Sequence, residues 1–271
     1  MDLGTVRLNN NMLLNKDSLP TNNKIVWITL ITPGFINYAQ NFFKTLQLNQ
    51  IDFKVVVFCT SDECVEALKE FPSAVCVNIE SNVREKDLMK WGDQSYREIC
   101  FQKLDVLSLI LNLISGDSRF DAVGYIDTDT IMLKDISKVF SEHLKQYPEV
   151  DIFAQCDEGG EECFDHEKCL VLCTGSILFR NKPQLNDLFA YRKEDIGFNT
   201  GDQEFLCKQL KKCKHIQHRT ISKQILLNGL HKYVKRHSND LPSTAHLLHF
   251  NYMIGATKIS NMKKRGVWLI E

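Results

Sequence analysis

Two places in this chain pair residue types with a spacing that chemistry can use. Asp127-Thr128-Asp129 directly follows the apolar run Val123-Gly-Tyr-Ile126. Two carboxylates at the exit of a strand offer hard oxygen ligands that suit Mn²⁺ or Mg²⁺, cations held by a few protein carboxylates plus substrate phosphate oxygens. Further on, Leu247-Leu-His-Phe-Asn251 precedes Gly255 and Lys258. There an imidazole can complete a metal's ligand set, a glycine lets backbone approach a ligand, and a lysine can neutralise phosphate. Taken singly, the acidic pair reads equally as a solvated turn, and His249 as a core or capping histidine. A third cluster, Cys156, Cys163, His166, Cys169 and Cys173, lacks the C-x-x-C spacing of structural zinc and reads as loop and strand thiols.

These groups need a scaffold, and the hydrophobic pattern supplies one. Lys24 to Ile31, Lys54 to Cys59 and Ala74 to Ile79 are short β-branched runs that fit strands buried on both faces. Between them, Tyr38 to Leu48 and Glu63 to Glu70 read as helices, and Tyr96 to Ile114 is a long amphipathic helix stopped by Gly116. Ala122 to Ile126 is the strand that delivers the acidic pair, with Ile131 to Leu133 extended beyond it. Such alternation predicts an α/β domain with a mostly parallel sheet, and ligands then bind beyond the carboxyl ends of its strands. The second half is less regular. Asp151 to Ala154, Thr174 to Phe179 and Ala245 to Phe250 read as strands, while Gly201-Asp202-Gln203 opens a helix to Leu210 and Gly255 to Arg265 forms another. No linker is visible, so residues 1–22 read as a polar arm and 23–271 as one domain.

Composition excludes several classes. The 271 residues carry 33 basic and 34 acidic side chains, a net charge of −1, with 44% hydrophobic residues. That balance argues against disorder and against general affinity for nucleic acid. No run approaches the roughly 18 apolar residues of a membrane span, and no secretory signal is apparent. Ten cysteines without such a signal read as reduced thiols of a cytoplasmic protein. The basic runs Lys211 to His215 and Lys232 to His237 read as solvated surface, and the acidic, Gly-rich stretch Asp157 to Asp165 as a loop.

In order along the chain, Asp127-Thr-Asp129, Thr174-Gly175, Asp202-Gln203 and the run His249-x-Asn251-x-x-x-Gly255-x-x-Lys258 resemble the nucleotide-diphospho-sugar transferases of the GT-A fold. The pattern looks most like the plant-type arabinosyl- and xylosyltransferases and, more distantly, the glycogenin-like enzymes. The resemblance runs from about Lys24 to Trp268. It implies a Rossmann-like sheet with an irregular acceptor side and a divalent cation held by Asp127, Asp129 and His249. It further implies a nucleotide-sugar donor such as a UDP-sugar, contacted by Thr29, Thr32, Tyr38, Lys103, Thr128, Gly255 and Lys258. Asp202 and Gln203 would stand at the reacting sugar, a glycan or glycoprotein hydroxyl would be the acceptor, and transfer would retain the anomeric configuration. Thr174 departs from the pattern, which usually has an Asn-like residue before the glycine. Two other classes compete: a haloacid-dehalogenase-like phosphatase with Asp127 as nucleophile, and a binding module without turnover. The phosphatase signature wants Thr or Val where Ile131 stands.

Overall fold

The computed structural model describes residues 14–81, 93–157, 171–197, 201–236 and 240–270. Strand β1 (Ile25–Ile31) is an interior strand, third from one edge, of a seven-stranded sheet. Beside it run β2 (Val55–Cys59) and then β3 (Ala74–Asn78) on one side. On the other side come β4 (Ala122–Ile126), β7 (Leu172–Arg180), β6 (Ile152–Cys156) and β8 (His218–Ile221). Only β7 runs against the rest, so the sheet is mostly parallel as expected. Three short strands, β5 (Thr130–Met132), β9 (Leu226–Leu227) and β10 (Leu247–His249), form a second small sheet in the order β5-β10-β9.

β1 is buried along its whole length, and the two-residue period of a strand divides its side chains between two cores. Val26, Ile28 and Leu30 pack with Phe101, Leu104 and Leu107 of α3 (Gln94–Ile114) and Phe205 of α5 (Asp202–Lys212). Ile25, Trp27 and Ile31 face α1 (Ile36–Leu48), α2 (Asp62–Leu68) and α4 (Ile136–Gln146), where Trp27 meets Phe140 edge-on with ring centroids 5.2 Å apart. Helix α4 occupies a stretch to which sequence reading assigned no element. Asp135 caps it by accepting from the Ser137 N–H at 2.8 Å. The short α6 (Lys232–Arg236) and then α7 (Gly255–Lys264) complete the chain order.

Residues 14–22 lie against the domain: Leu19 enters the α3-side core, and the Asn22 amide donates to the Lys54 carbonyl at 2.7 Å. The C-terminal residues are also tied down. Asn41 of α1, fully buried, donates to the Val267 carbonyl and accepts from the Leu269 N–H. No helix among the described residues is long and apolar enough to cross a membrane. At Cys156 the all-thiol expectation fails, because this residue is disulfide-bonded, while seven other described cysteines are free. Of the zinc reading, Cys163, His166 and Cys169 lie outside the described residues, as does all of the acidic loop beyond Asp157.

Asp105 of α3 carries a testable consequence of burial. It accepts from the Tyr191 hydroxyl at 2.8 Å, yet desolvation outweighs that bond and pushes its carboxyl up to about 7. Between the unfolded value of about 3.9 and that folded value, the unfolded chain ionises Asp105 while the folded one does not, so stability falls as pH rises. Asp105→Asn removes this contribution. Its urea midpoint is expected to gain on the wild type from pH 4 to pH 7; a difference that stays flat across that range would refute the assignment.

Candidate active site

Strand pairing brings distant parts of the sequence to one point. β4 ends at Ile126, and the turn Asp127-Thr128-Asp129 is closed by the Thr130 hydroxyl donating to the Asp127 carbonyl at 2.7 Å. β5 then pairs antiparallel with β10, placing His249 directly opposite Thr130 and therefore beside Asp129. From the other side the Asp127 N–H donates to the Gly175 carbonyl of β7 at 2.8 Å. Asp127, Asp129 and His249 thus form the one group of three potential ligands among the described residues, their ligand atoms all within 4.8 Å.

The donor set fits a divalent cation. Asp129 Oδ1 is buried without a hydrogen-bond partner, although His249 Nε2 stands 3.2 Å away. Asp127 Oδ2 is 3.7 Å from the same nitrogen. Lys258 Nζ bonds the other oxygen of Asp129. Burial opposes a charged Asp129, but Lys258 and His249 hold its carboxyl far below the usual carboxylate range. Burial likewise opposes a charged imidazole, and the Asp129 carboxylate outweighs it, raising the His249 pKa well above the usual histidine value. Gly175 makes the cluster possible. A methyl group there would overlap Asp127 Oδ2 and His249 Cε1 and stand 3.0 Å from His249 Nε2.

This cluster lines a cleft of about 580 Å³ at the carboxyl ends of the central strands, a volume suited to a small ligand. Lys103 projects from the buried face of α3 into its wall. The ammonium is 3.0 Å from Asp202 Oδ2, 3.4 Å from Asp127 Oδ1 and 4.1 Å from the Tyr125 ring centroid. Desolvation disfavours its charge, but the two carboxylates prevail and raise its pKa. Asp202 begins α5, and Gln203 follows with its amide fixed at both ends: Nε2 donates to Asp157 Oδ2 at 2.8 Å, and Oε1 accepts from the Thr174 N–H at 3.4 Å. Asp157 joins the far wall as well, accepting from Asn251 Nδ2 at 3.0 Å through Oδ1 and from the Tyr252 hydroxyl at 2.9 Å through its carbonyl.

Thr32, Tyr38, Thr128, Gly255 and Lys258 all line the same cleft. Tyr38 is wedged between the Trp268 ring, 5.4 Å away and edge-on, and Lys258, and its hydroxyl is pushed up to about 12 by burial and by the Asp129 charge. Gly255 opens α7 at φ +54°, a conformation that disfavours side chains, and a Cβ there would enter open space. Thr29 is not brought to the cleft. It is fully buried in β1, one residue before Leu30, so the strand period turns it to the opposite face from the residue that does line the cavity. Sequence reading missed Asp157 and Tyr252, the first because it lay within a stretch read only as an acidic loop. From the tight approach at Gly175, Gly175→Ala is expected to separate Asp127 from His249. Mn²⁺ binding, measured by calorimetry on the folded variant, should weaken about tenfold or more, and the crowding should also lower the cation-free melting temperature. Unchanged affinity would show that the three groups do not act together.

No protein-family model matches the chain, and no curated protein matches it in sequence. Solved structures do resemble it. The galactosyltransferase LgtC in complex with donor and acceptor sugar analogues is similar at a TM-score of 0.54 and 10% identity, over 89% of this chain and 94% of that one. The glycosyltransferase GlyE of Streptococcus pneumoniae TIGR4 is similar at a TM-score of 0.50 and 16% identity. That match covers 91% of this chain, which spans only 60% of the GlyE structure. With its mostly parallel sheet and its acidic turn after β4, the chain shares the fold of these glycosyltransferase structures, the GT-A fold.

Proposed function

We propose that this protein transfers a sugar from a nucleoside-diphosphate sugar, a UDP-sugar in the simplest case, to a hydroxyl of a glycan or glycoprotein. The observation that carries the reading is the Asp127, Asp129 and His249 trio, with its unmet Asp129 oxygen, on the wall of a ligand-sized cleft. Mn²⁺ or Mg²⁺ held there supplies a Lewis acid to the leaving diphosphate. Lys258 adds a fixed positive charge at the same edge, and the backbone amides at the start of α7 suit phosphate oxygens. Thr32, at the exit of β1, and Tyr38, in the first turn of α1, form the wall that the nucleoside would lie against.

Across the cleft, Gln203 is held rigidly by Asp157 and Thr174 and faces the reacting sugar. A neutral amide is a weak nucleophile, which disfavours a covalent glycosyl-enzyme at Gln203; the retention that the family resemblance implies would then require attack of the acceptor hydroxyl from the side the diphosphate leaves. Asp202 is engaged by Lys103 and orients sugar hydroxyls rather than acting as a free base. This division of roles puts most of the rate enhancement into charge stabilisation of the leaving group, so the paired carboxylates of a hydrolase are not required.

A panel of nucleotide sugars, assayed for Mn²⁺-dependent transfer and donor hydrolysis, tests the reading directly. Asp127→Ala and Asp129→Ala are expected to abolish cation-dependent turnover in a folded protein, and Lys258→Ala to lower it on the order of 10²-fold. Wild-type rates in either aspartate variant would remove the assignment. Phosphate release from a phosphomonoester without any nucleotide sugar would favour the phosphatase class instead, and UDP binding without turnover a binding module.

A further inference from the structure

Gln155 is fully buried near the end of β6, among apolar neighbours, where an amide needs a reason to be. Its Nε2 donates to the Leu226 carbonyl of β9 at 3.1 Å, and its Oε1 lies 2.8 Å from His249 Nδ1. The Leu226 carbonyl can only accept, so it fixes which way the amide points and turns the oxygen toward the histidine. The β6–β7 ladder also shifts register here. Ala154 pairs with Ile177 but Gln155 pairs with Cys173, leaving Thr174, Gly175 and Ser176 in the irregular stretch. Such irregularities re-aim side chains, and this one occurs where Gly175 clears room for Asp127 and His249.

We infer that Gln155 is a positioning residue that dictates which nitrogen of His249 faces the aspartates. An amide oxygen only accepts, so Nδ1 must carry a hydrogen. With Nδ1 so occupied, Nε2 is the nitrogen left to give up its hydrogen to a cation, and it stands 3.2 Å from Asp129 Oδ1 and 3.7 Å from Asp127 Oδ2. Cys173 Sγ also approaches Nδ1, at 3.6 Å, but the amide oxygen is nearer and the better acceptor. Gln155 joins the large sheet to β9, and β9 pairs with β10, so one amide sets both the ring's hydrogen and the seat of the strand that carries it. The inference rests on the cation reading of the trio.

Gln155→Met, close in size but without the amide, tests it in the full chain. Calorimetry with Mn²⁺ alone is expected to show affinity about 10- to 100-fold below wild type. The rise in melting temperature that Mn²⁺ gives the wild type should shrink in proportion, which a merely structural loss would not produce. Ring-nitrogen NMR of the Mg²⁺-loaded wild type is expected to show His249 carrying its hydrogen on Nδ1, and this holds whether or not the variant folds. A hydrogen on Nε2 in the loaded wild type, or equal Mn²⁺ affinity in a folded variant, overturns the inference while leaving the trio intact. Absence of Mn²⁺ and Mg²⁺ binding by the wild type overturns the cation reading and this inference together.

Discussion

Four aspartates, Asp127, Asp129, Asp157 and Asp202, converge on one cleft, and the mutual repulsion of their carboxylates is the constraint that the surrounding structure has to meet. Two unit charges 4 Å apart interact by roughly 4 kcal/mol at the effective dielectric of a protein edge, so crowding them without counter-charge would oppose folding. Lys103 answers for Asp127 and Asp202, Lys258 for Asp129, while the Asp157 carboxylate accepts from the neutral side-chain amides of Gln203 and Asn251. A buried lysine is itself tolerated only when paired, so helix α3, the end of β4 and the start of α5 stabilise one another through a single ammonium. The arrangement leaves Asp129 Oδ1 without a hydrogen-bond partner, beside an imidazole.

Geometry at the site comes from the meeting of two sheets rather than from a loop. The acidic turn is the hinge between β4 of the large sheet and β5 of the small one, and β10 delivers His249 by ordinary antiparallel pairing. β7 closes the third side, and its glycine admits an approach that any other residue would block. Rigid strands therefore define the floor. The walls are the first half of α3 and the beginnings of α5 and α7, which carry Lys103, Gln203 and Lys258.

Much of this was legible beforehand because it is local. The apolar runs of β1, β2 and β4 and the long amphipathic α3 follow from hydrophobic periodicity, and the acidic pair sits at a strand end where such a sheet binds ligands. Helix α4 was equally legible: Ile136, Val139, Phe140 and Leu144 fall at helical spacing behind the capping Asp135, and the pattern was passed over. Thr29 was misplaced because a strand buried on both faces gives no polar alternation from which to tell its sides. β8 and β9 are too short to announce themselves. Asp157 and Gln155 could not have been found from spacing at all, since their importance comes from partners 46 to 95 residues away and from a register shift between strands.

The binding of Asn41 to Val267 and Leu269 joins residues 226 and 228 positions apart, and through Trp268 it supports the ring of Tyr38. Closing so large a loop is entropically slow, and chains dominated by such remote contacts reach their native state late. The central β-strands can collapse before that closure, but the wall carrying Tyr38 acquires its backing only when the last segment docks. Competence to hold a ligand is thereby tied to the completion of folding, so partly assembled molecules would lack the finished cleft wall at Tyr38.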